Sequence, residues 1–139
     1  MSFTFYRQPD QMDCGATCLR MIAKHHGKNY NLSDLRQASN TTREGTSLLG
    51  ISSAAEKIGF RTLGVKTTFK QLVEDAPLPC VAHWNQNHFI VIHKIKGDYV
   101  HVADPGHGLI TFPKDEFVKS WISSGNNEGI LLEPVNNFV

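Results

Sequence analysis

The sequence predicts an α+β protein in which N-terminal helices pack on a C-terminal, mostly antiparallel sheet. Apolar residues recur at helical spacing in the first half of the chain. From Cys80 onward, short runs rich in β-branched and aromatic residues replace that spacing. Gly97-Asp98 lies between two of these runs and is typical of a hairpin turn. Helices followed by antiparallel strands are the pattern of the α+β class.

The helical spacing predicts three helices in the first half of the chain, over residues 14–26, 32–38 and 47–58. Asp13 is predicted to cap the first helix, and either Asn31 or Ser33 the second, because short polar side chains accept hydrogen bonds from the free N–H groups of a first turn. Gly27 and Gly59 are predicted to end the first and third helices, since glycine adopts the left-handed conformation that terminates many helices.

The remaining predicted elements are shorter. Residues 60–65 predict a strand, and residues 69–73 predict a short helix. Five further strands are predicted at residues 80–84, 89–96, 99–103, 109–112 and 130–132, with an amphipathic helix at 113–121. The sequence has no repeat and no low-complexity linker, and its 139 residues suit a single domain over residues 1–139.

Composition and charge argue against several classes of protein. The 14 Lys and Arg residues nearly balance the 13 Asp and Glu residues, so the sequence lacks the basic stripe of a nucleic-acid-binding surface. There is no polybasic cluster for a membrane surface, and the apolar runs are far shorter than the roughly 20 residues of a membrane-spanning helix. Three cysteines without a secretory signal predict reduced thiols in a cytosolic setting.

Cys14 is the strongest candidate for a functional residue. It lies at or next to the start of the first predicted helix, where the helix dipole favours a negative charge. Because the thiolate is the nucleophilic form of cysteine, this position suits an activated nucleophile. Cys18, one helical turn later, and Cys80, at the start of a strand, lie among apolar residues and are predicted to be core residues.

A cysteine nucleophile requires a base, and the base requires a group that orients it. His88 precedes one predicted strand and Asp104 follows its antiparallel partner, so a hydrogen bond between their side chains is expected. His101 and His107 flank the turn at Asp104 and are predicted to be surface residues. The seven histidines form no HExxH motif and show no ligand spacing, so no metal site is predicted.

Several blocks of the sequence resemble the peptidase C39 family. They are Gln8, Asp13-Cys14-Gly15, Cys18-Leu19, Asn87-His88-Phe89-Ile90-Val91 and Ala103-Asp104-Pro105. The blocks occur in the family's order and spacing, and the resemblance runs from about Tyr6 to the end of the chain. Members of this family are the papain-like N-terminal domains of ABC transporters that export bacteriocins and signalling peptides.

The resemblance implies a papain-like fold and a cysteine endopeptidase that cuts a leader peptide after Gly-Gly or Gly-Ala. In this interpretation Cys14 is the nucleophile and His88 is the base. Asp104 orients His88 through the second ring nitrogen. Gln8 would donate its side-chain N–H to the oxyanion, together with the backbone N–H of Cys14.

The resemblance also implies the partners and the location. Trp84, Asn85 and Asn87 are candidates for the walls of a narrow substrate-binding cleft, although Trp84 could equally be a packing residue. The expected partners are a leader peptide and the transmembrane and nucleotide-binding domains of the same transporter, with no nucleic acid and no metal. Proteolysis would need no cofactor, and ATP would serve the transporter. The expected location is the cytoplasmic face of the bacterial membrane, with the isolated domain soluble.

Two other classes of function remain open. Some transporters carry a C39-like domain that lacks the nucleophile and holds the substrate without cleaving it, so the presence of Cys14 is the discriminating feature. A different Cys-His-Asp enzyme, such as a transglutaminase-like or cell-wall amidase domain, would share the same three residue types. Gln8 and the Asp13-Cys14-Gly15 context favour the C39 peptidase over this alternative.

Overall fold

The computed structural model describes residues 3–123 and 125–136. Within these residues the chain forms five α-helices: α1 (Cys14–His25), α2 (Leu32–Ala38), α3 (Leu48–Lys57), α4 (Phe69–Asp75) and α5 (Lys114–Trp121). The same residues form six strands: β1 (Phe60–Thr68), β2 (Cys80–Trp84), β3 (His88–Lys96), β4 (Tyr99–Asp104), β5 (Gly108–Pro113) and β6 (Glu128–Asn136). A 3₁₀ turn, Gln11–Asp13, leads directly into α1. No helix in the described ranges has the length and apolar character needed to cross a membrane.

The strands form one antiparallel sheet in the order β1-β6-β2-β3-β4-β5. Hairpins join β2 to β3, β3 to β4 and β4 to β5, so strands that are consecutive in sequence are also neighbours in the sheet. Strand β6 lies between β1 and β2 and pairs with both. The last described strand is therefore internal to the sheet and connects β1 with the hairpins. The predicted α+β architecture is confirmed.

Helices cover both faces of the sheet because its central strands are apolar on both sides. Helices α1, α2 and α3 contribute to one core with Val81 and Val91, and α4 and α5 contribute to the other with Ala82 and Ile90. Successive residues of a strand point to opposite faces, so a strand buried on both sides has a continuous apolar run rather than an alternating pattern. The sequence predicted the layer of N-terminal helices, and the structure adds the second helical layer.

Most predicted helix ends are confirmed. After α1 the N–H of Lys28 donates to the carbonyl of Ala23 at 2.9 Å, with Gly27 between them at φ +84°. This is the Schellman arrangement, in which glycine tolerates the left-handed conformation at little steric cost. Asn31 is the cap of α2, since its side chain accepts the N–H of Asp34 at 2.9 Å.

Asp13 occupies the predicted N-cap position of α1, but the predicted capping hydrogen bond is absent. Asp13 precedes the helix, but its side chain accepts no hydrogen bond from the first turn of α1. The carboxylate instead accepts two hydrogen bonds from Arg36 on α2 and one from the backbone N–H of Asp10. Because a charged guanidinium is a stronger donor to a carboxylate than a neutral amide, the ion pair takes the place of the cap.

Strands β1 and β6 are longer than predicted. The local pattern indicated residues 60–65 and 130–132, whereas the two strands pair with each other from Phe60 opposite Asn136 to Thr68 opposite Glu128. Pro134 lies within β6, opposite Thr62. The extra length comes from pairing between segments far apart in sequence, which local β-propensity does not report.

Candidate active site

The predicted catalytic residues meet at one end of the sheet. His88 is the first residue of β3 and Asp104 is the last residue of β4. Because the two strands are antiparallel, the start of β3 and the end of β4 lie at the same end of the sheet. Cys14 is the first residue of α1, and α1 packs against β3. A helix start and two strand ends therefore position the three side chains.

His88 connects the other two residues through its two ring nitrogens. Its Nε2 lies 2.7 Å from Oδ1 of Asp104, so the predicted hydrogen bond is present. A carboxylate accepts and does not donate, hence Nε2 carries the hydrogen and Nδ1 is the nitrogen left to face Cys14. The side chain of Cys14 lies close enough to His88 to raise the pKa of its imidazole. Cys14 itself is 6% exposed.

The electrostatics of the site favour a charged imidazolium. Burial by itself lowers the pKa of His88, but hydrogen bonds to Asp104 and Cys14 and the charges of both outweigh it and raise the pKa to about 9. Burial by itself raises the pKa of Asp104, but hydrogen bonds from His88 and the backbone N–H of Gly106 outweigh it and lower the pKa. At neutral pH the arrangement therefore stabilises imidazolium beside carboxylate.

Asp104 has one more side-chain partner than the sequence predicted. Its Oδ1 accepts the N–H of Gly106 at 2.9 Å, and its Oδ2 lies 3.0 Å from Nδ1 of His107. His107 is a surface residue, as predicted, with 71% of its side chain exposed. Its bond to Asp104 was missed, although the spacing of three residues across a turn was a usable signal. The buried carboxylate is thus held from both sides.

The same three side chains form a grouping that could hold a metal ion. One donor atom from each of His88, Asp104 and His107 lies within 4.8 Å of the others. The sequence motifs did not indicate this grouping, because it depends on the fold. Both histidine nitrogens already donate hydrogen to the carboxylate, so a metal would have to displace that hydrogen and break both bonds.

Gln8 lies beside the site and is anchored by its own backbone. Its N–H donates to the carbonyl of Pro105 at 2.9 Å, which ties the N-terminal segment to the turn after Asp104. Its side-chain Nε2 donates to the carbonyl of Asp10 at 2.9 Å, and a second contact to the carbonyl of Gln11 is longer, at 3.4 Å. The first bond fixes which way the amide faces. The second hydrogen is weakly held by comparison.

A cavity of about 570 Å³ opens beside these residues. Its lining consists of Gln8, Gln11, Met12, Arg43, Glu44, Trp84, Asn85, Asn87, His88, Asp104 and His107. Trp84, Asn85 and Asn87, which were predicted to line a substrate-binding cleft, are part of this lining. Trp84 also packs against Phe112 and Phe117, so it serves the core as well. Gln11, Met12, Arg43 and Glu44 were not predicted, because no local pattern connects those loops to the cleft.

A second cavity of about 340 Å³ adjoins the first. Its lining consists of Glu44, Thr46, Ser47, Leu48, His83, Gln86, Asn87, Phe89 and Ile130. Glu44 and Asn87 belong to both linings, so the two cavities lie side by side. Leu48, Phe89 and Ile130 give the second cavity an apolar component, in contrast to the amide and charged groups around His88.

Gly15 explains how closely α1 approaches its neighbours behind Cys14. A Cβ atom on Gly15 would lie 2.7 Å from Cγ2 of Thr46 and 2.9 Å from Cδ1 of Ile51. Contacts that short require the neighbours to move. The absence of a side chain at residue 15 therefore lets the start of α1 pack against α3 and the segment before it.

The other two cysteines are structural. Both are buried, and both were predicted to be core residues. Burial raises the pKa of Cys18 well above its ordinary value, and the nearby Cys14 and Asp104 raise it further. Burial also raises the pKa of Cys80, with a smaller contribution from Glu133. Neither thiol is expected to ionise near neutral pH.

Comparison with known proteins agrees with this geometry. The model of the peptidase C39 family matches residues 2–126. The chain belongs to the peptidase C39 family. Its fold is the papain-like fold of C39 peptidase domains, with the cysteine on a helix and the histidine on the sheet, and it is a cysteine peptidase.

Two relatives place the C39 domain within larger proteins. The chain is 39% identical over 132 residues to LagD of Lactococcus lactis subsp. lactis, a lactococcin-G-processing and transport ATP-binding protein. It is 36% identical over 121 residues to ComA of Streptococcus pneumoniae, a transport/processing ATP-binding protein. These alignments cover 91% and 82% of the chain, which spans 18% and 17% of the length of the two curated relatives.

Two crystal structures share the fold of the C39 domain over nearly its whole length. A double glycine motif protease from an AMS/PCAT transporter, in complex with its leader peptide, matches with a TM-score of 0.88 and 29% identity. That match covers 96% of this chain and 91% of the other. The peptidase domain of Streptococcus ComA matches with a TM-score of 0.87 and 27% identity, over 97% of this chain and 99% of the other.

Proposed function

We propose that the chain cleaves the leader of a secreted bacteriocin or signalling peptide after a Gly-Gly or Gly-Ala motif. The observation that carries this proposal is Cys14 at a helix start, next to a His88 that is hydrogen-bonded to Asp104, beside a cleft. The matched relatives are named as processing and transport proteins, and one matched structure is a double glycine motif protease bound to a leader peptide.

The proposed reaction has two stages. The Cys14 thiolate attacks the carbonyl carbon of the scissile bond, and the His88 imidazolium then donates its Nδ1 proton to the leaving amine as the C–N bond breaks. Neutral His88 next accepts a proton from water, which attacks the thioester, releases the carboxylic acid and restores the thiolate and imidazolium. Asp104 keeps the Nε2–H tautomer and the orientation of His88 throughout.

Gln8 is the proposed donor to the oxyanion, together with the backbone N–H of Cys14. Nε2 donates to the carbonyl of Asp10 and makes a longer contact with that of Gln11, so this role would require the amide to turn its weakly held second hydrogen toward the substrate by rotation of the side chain. The hydrogen bond from the Gln8 backbone to Pro105 keeps this residue next to the turn at Asp104. Such fixed donors stabilise charge that develops in the transition state.

The two adjoining cavities suit a substrate that is narrow at the cut and apolar further away. Trp84, Asn85 and Asn87 wall the first cavity, where a β-carbon on the substrate would push the scissile carbonyl away from the oxyanion donors. A displacement of about 1 Å can cost about a hundredfold in rate. The second cavity, with Leu48 and Phe89, would take apolar leader side chains upstream of the cut.

We further propose that the domain acts within an ABC transporter at the cytoplasmic face of a bacterial membrane. Its partners would be a leader peptide and the transmembrane and nucleotide-binding domains of the same protein. This follows from the transport ATP-binding proteins that it matches over part of their length. ATP would act at the nucleotide-binding domain. Proteolysis itself would need no cofactor, metal or nucleic acid.

A peptide panel tests the proposed activity. The panel contains a full double-glycine leader, the same leader with Gly→Val at each of the two positions before the cut, and a short peptide with the Gly-Gly bond alone. The full leader should be cleaved fastest, and each valine should lower kcat/KM about a hundredfold. Cys14→Ala is the negative control. Binding of the leader without cleavage by the wild type would instead favour the non-cleaving module.

A further inference from the structure

An ion pair between a fully buried carboxylate and a half-buried guanidinium lies directly beside the nucleophile. Asp13, the residue before Cys14, has no exposed surface. Its Oδ1 accepts Nε of Arg36 at 2.6 Å and its Oδ2 accepts Nη2 of the same side chain at 2.5 Å. The parallel geometry is that of a bidentate guanidinium–carboxylate pair. Hydrogen bonding to Asp13, together with the charges of Asp13 and Asp10, raises the pKa of Arg36 above its ordinary value despite an opposing effect of desolvation.

The position of Asp13 is chemically unfavourable for a cysteine nucleophile unless its charge is compensated. A carboxylate one residue before Cys14 repels a thiolate and opposes the helix dipole that favours it. The same carboxylate is fully buried, so without a partner its desolvation would destabilise the fold. One guanidinium addresses both problems, because it neutralises the charge and occupies both oxygens.

The ion pair also determines the shape of the segment that presents Cys14. Oδ2 of Asp13 accepts the backbone N–H of Asp10 at 3.2 Å, which closes the 3₁₀ turn in front of α1. Arg36 also approaches Asp10 at 3.7 Å. Helix α2 is thereby connected to the turn that separates Gln8 from Cys14, so the spacing between these two residues depends on Arg36.

We propose that Arg36 is a positioning residue for Cys14, which neutralises Asp13 and holds the 3₁₀ turn so that the thiolate forms and faces His88. This proposal rests on the proposed role of Cys14 as the nucleophile. Arg36 forms its hydrogen bonds with Asp13, not with Cys14. Its effect passes through Asp13 and the backbone of the turn.

Other charged groups near Cys14 are already engaged elsewhere. His88 on β3 and Asp104 on β4 form the charge system described above, and Cys18 on α1 is buried. On α3, Glu56 accepts a hydrogen bond from Thr62, and Lys57 donates one to the carbonyl of Ala38. These α3 side chains therefore form their contacts away from the turn. The charge of Asp13 and its neutralisation by Arg36 can be changed by substitution without altering His88.

The test measures the rate at which iodoacetamide alkylates Cys14 across about pH 5 to pH 9, by peptide mass spectrometry, because the rate follows the thiolate. Arg36→Gln leaves Asp13 uncompensated and should lower the rate on the acid side of the titration by about threefold to tenfold. Asp13→Asn should leave that rate equal to or above the wild type. The double variant Asp13→Asn/Arg36→Gln should return close to the wild type. Parallel measurements of kcat/KM should follow the same order.

Two controls separate this effect from a general loss of stability. Arg20→Gln removes another half-buried arginine, one that donates to the carbonyl of Tyr30 and is not paired with Asp13. It should lower the melting temperature without moving the alkylation profile. If Arg36→Gln does not fold, Arg36→Lys keeps the charge without the bidentate geometry, and it should lower both the acid-side alkylation rate and kcat/KM measurably below the wild type.

Several results would overturn the proposal. An alkylation profile of Arg36→Gln equal to that of the wild type would do so, as would a double variant no better than Arg36→Gln, or an Arg20→Gln profile that moves as far. If Arg36→Gln is unfolded, an Arg36→Lys profile identical to the wild type with unchanged kcat/KM would also contradict it. A wild type that alkylates readily at Cys14 but cleaves no leader would contradict the proposed function and leave the alkylation comparison intact.

Discussion

At the scale of single residues, the two nitrogens of His88 have different tasks. Nε2 donates to Asp104, and Nδ1 is left to exchange a proton with Cys14. Asp104 is in turn held by the N–H of Gly106 and by His107. Loss of an orienting group leaves the acid–base group in place, whereas loss of His88 removes it, so the two substitutions should differ in severity.

The first prediction concerns that difference. His88→Ala should lower kcat/KM for the leader peptide by about 10⁴-fold or more. Asp104→Ala should lower kcat/KM by a factor that is at least about ten times smaller. His101→Ala is the matched control, because its side chain bonds Thr111 and not the carboxylate. Steady-state kinetics with purified variants measure the order. A His101 variant as damaged as His88→Ala would mean that the base has been misassigned.

The second prediction concerns the alkaline limit of activity. Because the pKa of His88 is raised to about 9, the imidazolium persists through neutral pH and is lost as the pH rises through about 9. We expect kcat/KM to fall on the alkaline side with an apparent midpoint near that value, which belongs to the coupled cysteine–histidine pair. Asp104→Ala should move this midpoint to lower pH, since the charge and hydrogen bond of Asp104 favour the proton. A midpoint that stays in place in the variant would refute that role.

The third prediction concerns metal. A cysteine nucleophile needs no Lewis acid, so cleavage should survive prolonged dialysis against EDTA and stop after alkylation of Cys14. His107→Ala should likewise leave the response to EDTA unchanged. Activity that disappears with EDTA and returns with Zn²⁺ would show that the grouping of His88, Asp104 and His107 holds a working metal ion.

At the scale of elements, the position of α1 depends on a close approach at Gly15. The start of this helix carries Cys14, and it lies against Thr46 and Ile51 without room for a side chain at residue 15. Thr46 is itself fixed by hydrogen bonds to Thr41 and to the carbonyl of Ser39. A methyl group here would therefore move the helix start relative to β3 and separate the sulfur from His88.

The fourth prediction follows from this contact. Gly15→Ala should destabilise the domain by about 1–3 kcal/mol and lower kcat/KM, because overpacking displaces the backbone around Cys14. The double variant Gly15→Ala/Thr46→Ser removes one of the two clashing groups, keeps the hydroxyl, and should recover part of both losses. Gly125→Ala, at a glycine with open space around it, is the control. Thermal melts and leader cleavage are the measurements. Equal effects at Gly15 and Gly125 would contradict the packing argument.

At the scale of the whole molecule, aromatic and imidazole rings connect the N-terminal segment to the helices and the sheet. Phe3 stacks on His93 of β3 with ring centroids 4.6 Å apart, and it also contacts His25 of α1. Burial, followed by the neighbouring charges of His101, His25 and Lys94, lowers the pKa of His93 to about 4. The native protein thus keeps this ring neutral where an unfolded chain would bind a proton.

The fifth prediction is a loss of stability in mild acid. Because the pKa of His93 is lowered to about 4 from 6.5, its neutral state stabilises the fold fully above about pH 6.5, and this contribution is lost as the pH falls toward 4. His93→Phe keeps a ring beside Phe3 and should reduce the acid-dependent part of the unfolding free energy by about 1 kcal/mol. Chemical denaturation at several pH values measures it. An identical pH dependence in the variant would exclude His93 as a cause.

Much of this protein follows from local sequence. The spacing of apolar residues, the caps at Asn31 and Gly27, and the turn at Gly97-Asp98 are short-range signals, and each predicted element has a counterpart in the structure. The pairing of His88 with Asp104 could also be predicted, because a hairpin brings the start of one strand to the end of the next. In each of these cases the relevant contacts lie within about 20 residues along the chain, and local propensity and turn geometry report such contacts.

Tertiary structure decided the features that depend on distant segments. Asp13 was expected to cap α1, but Arg36, 23 residues away, provides a stronger partner. The full length of β6 depends on β1, and the grouping of Gln8 with the turn at Asp104 depends on a backbone hydrogen bond from Gln8 to Pro105, far away in the sequence. A side chain forms its hydrogen bonds with the strongest partner that the fold brings close to it. When that partner is far away in the sequence, no local pattern predicts the contact.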